Sequence, residues 1–81
     1  MPEVLESEVE FLRNFTNQFD DIALTDISID ARFRELEGWS SIKALMIMSM
    51  VDEVYNISLS GQDIISSDTI VDLYNIVMAK K

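Results

Sequence analysis

The chain has 81 residues, of which 48% are hydrophobic, so it is long enough for one domain with a modest core and too apolar to be disordered. It contains no Cys and no His, which excludes disulfides, thiolate or imidazole metal ligands and most catalytic centres, so we expect neither an enzyme nor a metal site. Fifteen acidic and six basic residues give a net charge of −9, which excludes nucleic acid and anionic membranes as partners and favours partners with basic patches.

The N-terminal segment, residues 1–12, carries acidic residues where a secretory signal has positive charge, and it has no continuous apolar region. The longest apolar stretch, residues 42–51, is interrupted by Lys43 and Ser49 and is shorter than the ~20 residues that cross a bilayer. We therefore expect a cytoplasmic protein without a membrane span.

Residues 4–19 predict the first helix. Their apolar side chains recur at spacings of three and four, with polar side chains between them. Pro2 and the glutamates at positions 3, 6 and 8 suit the start of a helix, where the dipole is positive.

Residues 20–40 predict one long loop, because neither a helical nor an alternating period persists there. The loop should be ordered by packing of its apolar side chains against the helices: Ile22, Leu24, Ile27, Ile29, Phe33, Leu36 and Trp39. Residues 27–29 alternate like a strand, but the sequence offers no partner strand, so we expect no sheet.

Residues 41–55 predict the second helix, with Ser40 as its N-cap. One stripe at helical spacing should face the core: Ala44, Ile47, Met48, Val51, Val54 and Tyr55. A second apolar group lies on other sides of the helix, and we interpret it as a docking face that is partly exposed: Ile42, Leu45, Met46 and Met50. Met46 and Met50 are equally compatible with partner contact and with filling the core.

Two capping boxes predict the remaining helices. Ser60 with Asp63 begins a short third helix through about residue 65, and Thr69 with Asp72 begins a fourth that ends in Lys80 and Lys81. The predicted fold is all-α: a small bundle of three main helices and one short helix, in a single domain over residues 1–81, with a long ordered loop after the first helix.

The segment of residues 38–42 reads Gly-Trp-Ser-Ser-Ile and joins a glycine turn to a helix. Taken alone, serines at such a junction are helix caps. In its wider frame, however, the segment over residues 31–77 resembles the acyl carrier protein family, whose motif at this place is Asp-Ser-Leu, often after Gly-Trp. Further family positions are matched by Phe33, Leu36, Tyr55, Asp63-Ile64, Thr69-Ile70 and Asp72-Leu73.

The resemblance implies that Ser41 carries 4′-phosphopantetheine, transferred from coenzyme A by a phosphopantetheinyl transferase. The thiol of that arm would hold an acyl or aminoacyl group as a thioester, and the spacing to Tyr55 favours Ser41 over Ser40. We expect a monomer whose loading and processing enzymes dock with basic patches. The residues that we expect to contact partners are Ser40, Ile42, Leu45, Met46, Met50, Asp52 and Glu53.

Position 40 departs from the family pattern, because Ser stands where Asp is usual. That departure keeps a second hypothesis open, in which the chain is an unmodified interaction module with the same fold. A third hypothesis, an acidic protein that mimics nucleic acid or inhibits a basic enzyme, rests on net charge alone. Fatty-acid, polyketide, nonribosomal peptide and cell-wall pathways all stay open for the carrier.

Overall fold

The computed structural model describes residues 6–20, 22–23 and 26–81. Its helices are α1 (Glu6–Thr16), a 3₁₀ helix (Phe33–Glu35), α2 (Ser41–Tyr55), α3 (Gly61–Ile65) and α4 (Ile70–Lys80). The described residues contain no strand, and their one isolated bridge joins Arg32 to Thr69. The predicted all-α fold, with three main helices and one short helix, is confirmed.

The first helix is shorter than predicted, because α1 ends at Thr16 rather than near Phe19. The N–H groups of Gln18 and Phe19 donate to carbonyls three residues back, at 3.1 and 3.0 Å, so the chain tightens into a turn. Phe19 is nevertheless buried. The predicted start of the helix, with Pro2 and residues 3–5, lies outside the described residues.

The core is built from α1, the loop, α2 and α4. Its fully enclosed hydrophobic side chains are Phe11, Phe15, Phe33, Ile47, Val51, Ile70, Leu73 and Val77. Helices α1 and α2 are antiparallel, because Phe11 lies 5.8 Å from Tyr55 at the end of α2, whereas Phe19 lies 6.4 Å from Trp39 before its start, both measured between ring centroids.

The loop between α1 and α2 packs on the core as predicted. Phe33 is fully buried, and the side chains of Ile22, Ile27, Ile29, Leu36 and Trp39 are half-buried against the core; Leu24 lies outside the described residues. Backbone hydrogen bonds also join the loop to the start of α4, from Ile70 N–H to the Ala31 carbonyl at 3.1 Å and from Val71 N–H to the Ile29 carbonyl at 2.7 Å. These bonds, and the 3₁₀ helix, were not predicted.

Two predictions on α2 are wrong. Met50, assigned to the docking face, is only 5% exposed and belongs to the core. It lies next to Val51 and three residues after Ile47, so the three share the buried side of the helix. Val54, assigned to the core, is 51% exposed. Val54 lies three residues after the buried Val51, at a helical spacing. The helix ends one residue later, however, and the chain changes direction at Asn56, whose φ is 59°.

Both predicted capping boxes are present. Asp63 N–H donates to the Ser60 hydroxyl at 3.0 Å and Ser60 N–H donates to the Asp63 carboxylate at 2.9 Å. At the start of α4, Asp72 N–H donates to Thr69 at 3.3 Å, and the Asp72 carboxylate accepts from Thr69 N–H at 3.0 Å. The Nζ atom of Lys80, at the end of α4, lies 2.8 Å from Oδ2 of Asp63, so the last helix also stabilises the start of α3.

These contacts predict how stability depends on pH. Hydrogen bonds from Lys80 and the Ser60 backbone lower the pKa of Asp63, and those from the Thr69 and Asp68 backbones lower the pKa of Asp72. A carboxyl with a lower pKa in the folded state stabilises the fold above its unfolded pKa, near pH 4, and this contribution is lost as the pH falls through the folded pKa.

We therefore expect the free energy of unfolding to decrease as the pH falls below about 4. Urea denaturation should show a smaller decrease in Asp63→Asn and Asp72→Asn than in the parent chain. Asp52→Asn is the control, because the exposed Asp52 side chain accepts no hydrogen bond from a described residue. If the free energy of unfolding changes equally with pH in the parent chain and in all three variants, the prediction is contradicted.

Candidate functional site around Ser41

Ser40 and Ser41 are adjacent in sequence, but the start of α2 places their hydroxyls differently. Ser40 is the N-cap, in an extended conformation, and its hydroxyl accepts a hydrogen bond from Lys43 N–H at 3.3 Å. Ser41 is the first helical residue, it is exposed, and its hydroxyl makes no hydrogen bond to a described residue. Of the two oxygens, only that of Ser41 has no hydrogen-bond partner among the described residues.

The start of α2 is fixed by three aromatic rings, which we call the aromatic bracket: Phe19, Phe33 and Trp39. The Trp39 ring is half-buried and lies 4.9 Å from Phe33 and 6.4 Å from Phe19, between centroids. Gly38 turns the chain into the bracket with a φ of 91°, a left-handed conformation that favours glycine. The packing role predicted for Trp39 is confirmed, and it anchors the chain two residues before Ser41.

Lys43 and the helix dipole place positive charge at the start of α2, although the protein as a whole is acidic. The first turn of α2 contains no acidic residue. The Nζ atom of Lys43 lies over the Phe19 ring, 5.3 Å from its centroid. The dipole of α2 adds partial positive charge, and the first N–H groups of a helix have no helical partner. A phosphodiester on the Ser41 oxygen would be stabilised by this environment.

One continuous stripe of exposed side chains follows Ser41 along α2, and we call it the exposed face of α2. Its members are spaced so that they lie on the same side of the helix: Ser41, Ile42, Leu45, Met46, Ser49, Asp52 and Glu53. The structure thus brings together the residues predicted to contact partners, except the buried Met50. Ser40 precedes the stripe and is exposed. Ser49 was not predicted, although its spacing from Leu45 indicates the same side.

The exposure of Ile65 and the contacts of Arg34 were not predicted from the sequence. Ile65 on α3 is 69% exposed, whereas Ile64 is 6% exposed. Two adjacent isoleucines in a five-residue helix signal that only one of them can face the core. Arg34 donates to the carbonyls of Ile64 and Ser67 and so holds the end of α3 against the loop. No local pattern indicates this contact, because about thirty residues separate the partners.

The described part of the chain contains no group of three or more acidic, His or Cys side chains arranged to hold a metal ion. None of its helices is long and apolar enough to cross a membrane.

A family model described as a phosphopantetheine attachment site matches residues 10–77, which include all of α2 and α3 and most of α1 and α4. No curated protein and no solved structure matches the chain significantly. Members of the family are carrier domains that hold 4′-phosphopantetheine covalently rather than catalysts. The exposed Ser41 hydroxyl, at a helix start without acidic residues, suits a serine-linked phosphodiester. The chain therefore belongs to the phosphopantetheine attachment site family.

Proposed function

We propose that Ser41 carries the 4′-phosphopantetheine arm and that the protein presents an acyl or aminoacyl group to the enzymes of a biosynthetic pathway. In the attachment reaction, the Ser41 oxygen forms a phosphodiester with the phosphopantetheine part of coenzyme A, the hydroxyl proton is lost, and adenosine 3′,5′-bisphosphate leaves. The observation that carries this proposal is the exposed hydroxyl of Ser41 beside a Ser40 hydroxyl engaged in the helix cap.

The chain's own residues bind and orient rather than react further. Ser40 holds the first turn of α2, and the aromatic bracket holds the segment before it. The helix N-terminus then stabilises the negative charge of the phosphodiester. The arm supplies the thiol that forms the thioester, a group that the chain lacks because it has no Cys.

The partners in this proposal are a phosphopantetheinyl transferase and the enzymes that load and process the cargo. They contact the exposed face of α2, with Ile42, Leu45, Met46, Asp52 and Glu53, and the neighbouring Ser40. Residues 1–81 act as one carrier domain, which we expect to be monomeric and cytoplasmic. The net charge of −9 supports the monomeric state, because identical acidic chains repel each other.

Incubation with coenzyme A and a broad-specificity phosphopantetheinyl transferase tests the proposal. Intact mass spectrometry should show the addition of one phosphopantetheine group per chain, and no addition when the transferase is omitted. If several unrelated transferases add nothing, the proposal is contradicted. The alternative, an unmodified interaction module, is suggested by Ser40 in the usual place of Asp. It would be supported if the chain purified from its native host carried no arm and co-purified with a stable partner.

A further inference from the structure

Trp39 packs in the aromatic bracket with only part of its indole ring. The ring lies 4.9 Å from Phe33 and 6.4 Å from Phe19, between centroids. Phe33 and Phe19 are 0% and 6% exposed, so their rings are enclosed, whereas Trp39 is half-buried. Trp39 is therefore the member of the bracket that keeps a substantial part of its aromatic surface at the exterior.

The geometry of a helix directs the Ser41 side chain back toward Trp39. In an α-helix each Cα–Cβ bond is tilted toward the N-terminus, so a group on the Ser41 oxygen begins in the direction of the segment before α2. Trp39 comes two residues before Ser41, so their Cα atoms are at most about 7 Å apart, which is within reach of an indole ring. Ile42 and Leu45 are also exposed, but they follow Ser41 and lie further along the axis in the opposite direction.

Lys43 places a positive charge on the bracket side of α2. It follows Ser41 by two residues, which corresponds to a rotation of about 200° around the helix axis. Its Nζ atom lies 5.3 Å from the centroid of the Phe19 ring, and that ring packs against Trp39. A phosphodiester on Ser41 is attracted toward this ammonium group, and thus toward the side of the helix on which Trp39 lies.

The chemistry of phosphopantetheine suits this surface. Its phosphodiester is followed, after one methylene group, by a carbon that has two methyl groups, and the amides and the thiol come only beyond it. We infer that Trp39 is a positioning residue for the arm, whose methyl groups pack on the exposed part of the indole ring while Lys43 attracts the phosphodiester. This inference rests on the proposed function, because the arm reaches Trp39 only if it is attached to Ser41. The contact removes apolar surface from water and fixes the direction in which the arm leaves the protein.

Fluorescence of Trp39 reports on the contact, because it is the single tryptophan of the chain. The chain is loaded with coenzyme A and a broad-specificity transferase and is then purified away from both. Acrylamide should quench Trp39 in the arm-bearing chain roughly half as strongly as in the arm-free chain, because the arm covers the exposed part of a half-buried ring. Acrylamide is uncharged, so the phosphodiester does not repel it. Ser41→Ala, treated in the same way, should be quenched like the arm-free parent.

A coenzyme A analogue with hydrogens in place of both methyl groups is the matched control. The chain loaded with it has the same phosphodiester and the same thiol, and Trp39 should be quenched as in the arm-free chain. In the chain with the natural arm, NMR should show nuclear Overhauser effects between the arm's methyl protons and the indole protons. Lys43→Gln should lose part of the protection from acrylamide, whereas Lys43→Arg should keep it, because arginine retains the positive charge.

The inference is overturned if the arm leaves the quenching of Trp39 unchanged, if the arm without methyl groups protects the ring equally, or if the methyl protons contact Ile42 or Leu45 instead of the indole. Equal protection in Lys43→Gln and Lys43→Arg would refute the role of Lys43. Failure of the two proposals is distinguishable. If the parent chain receives no arm, the proposed function fails and the inference fails with it, whereas an arm on Ser41 beside an unprotected Trp39 leaves the carrier function intact and refutes only the positioning role.

Discussion

Ser41→Ala is expected to abolish arm addition, whereas Ser40→Ala should retain it. The Ser41 side chain is exposed at the first position of α2, and removing its oxygen removes the atom that would bond to phosphorus. The Ser40 oxygen has a structural partner instead, because it accepts from Lys43 N–H. Loss of an N-cap costs about 1 kcal/mol, so Ser40→Ala should lower stability and slow addition without preventing it.

Intact mass spectrometry after incubation with coenzyme A and a transferase measures this effect. Ser49→Ala is the matched control, because Ser49 is exposed on the same face of α2 but lies two turns from the helix start. It should be modified at the rate of the parent chain. Addition to Ser41→Ala together with no addition to Ser40→Ala would reverse the assignment of the two serines.

Phe33→Ala is expected to lower the free energy of unfolding by about 3–5 kcal/mol. Phe33 is 0% exposed, and its ring lies 4.9 Å from Trp39 and 6.3 Å from Phe15, between centroids. Truncation to Ala therefore leaves a cavity between the loop, α1 and the start of α2. Domains of this size are stabilised by about 5–15 kcal/mol in total, so the variant should unfold at a much lower urea concentration.

Urea denaturation followed by fluorescence measures this loss, because Trp39 is the single tryptophan and it contacts the Phe33 ring. Ile65→Ala is the control for truncation of an apolar side chain. Ile65 is 69% exposed, so its loss should change the free energy of unfolding by less than about 0.5 kcal/mol. A loss below about 1 kcal/mol in Phe33→Ala would show that the bracket does not stabilise the fold as described.

The helix starts were predictable from the sequence because capping is local. Ser40, Ser60 and Thr69 each accept a hydrogen bond from the N–H three residues later, so a short stretch of sequence contains both partners. The start of α2 at Ser41 follows directly from the cap at Ser40. Local chemistry thus placed Ser41 at the first position of its helix.

The sides of α2 were harder to predict because apolar residues surround the helix. Periodicity alone could not decide between Met50 and Val54, since both follow Ile47 at helical spacings or nearly so. The decision comes from packing: neighbouring elements cover Met50, while the helix ends beside Val54. For this reason the predicted exposure is confirmed for the apolar residues of the first turns, whereas Met50 is a core residue.

The structure of the loop was not predictable in detail because its hydrogen bonds are long-range. The Ala31 and Ile29 carbonyls accept from the first residues of α4, and Phe33 N–H donates to the Asp68 carbonyl at 3.3 Å. No spacing within residues 20–40 indicates partners so far along the chain. The apolar side chains of the loop did predict that it packs on the core, because that prediction requires only the composition of the segment.

The central claim, that Ser41 carries the arm, is tested most directly on the modified protein itself. Trypsin cleaves after Arg34 and Lys43 and releases residues 35–43, Glu-Leu-Glu-Gly-Trp-Ser-Ser-Ile-Lys, a peptide that contains both candidate serines. Fragmentation of this peptide between Ser40 and Ser41 shows which residue carries the added mass. We predict the phosphopantetheine group on Ser41 alone; its presence on Ser40, or an unmodified peptide from a chain that gained the mass elsewhere, would contradict the claim.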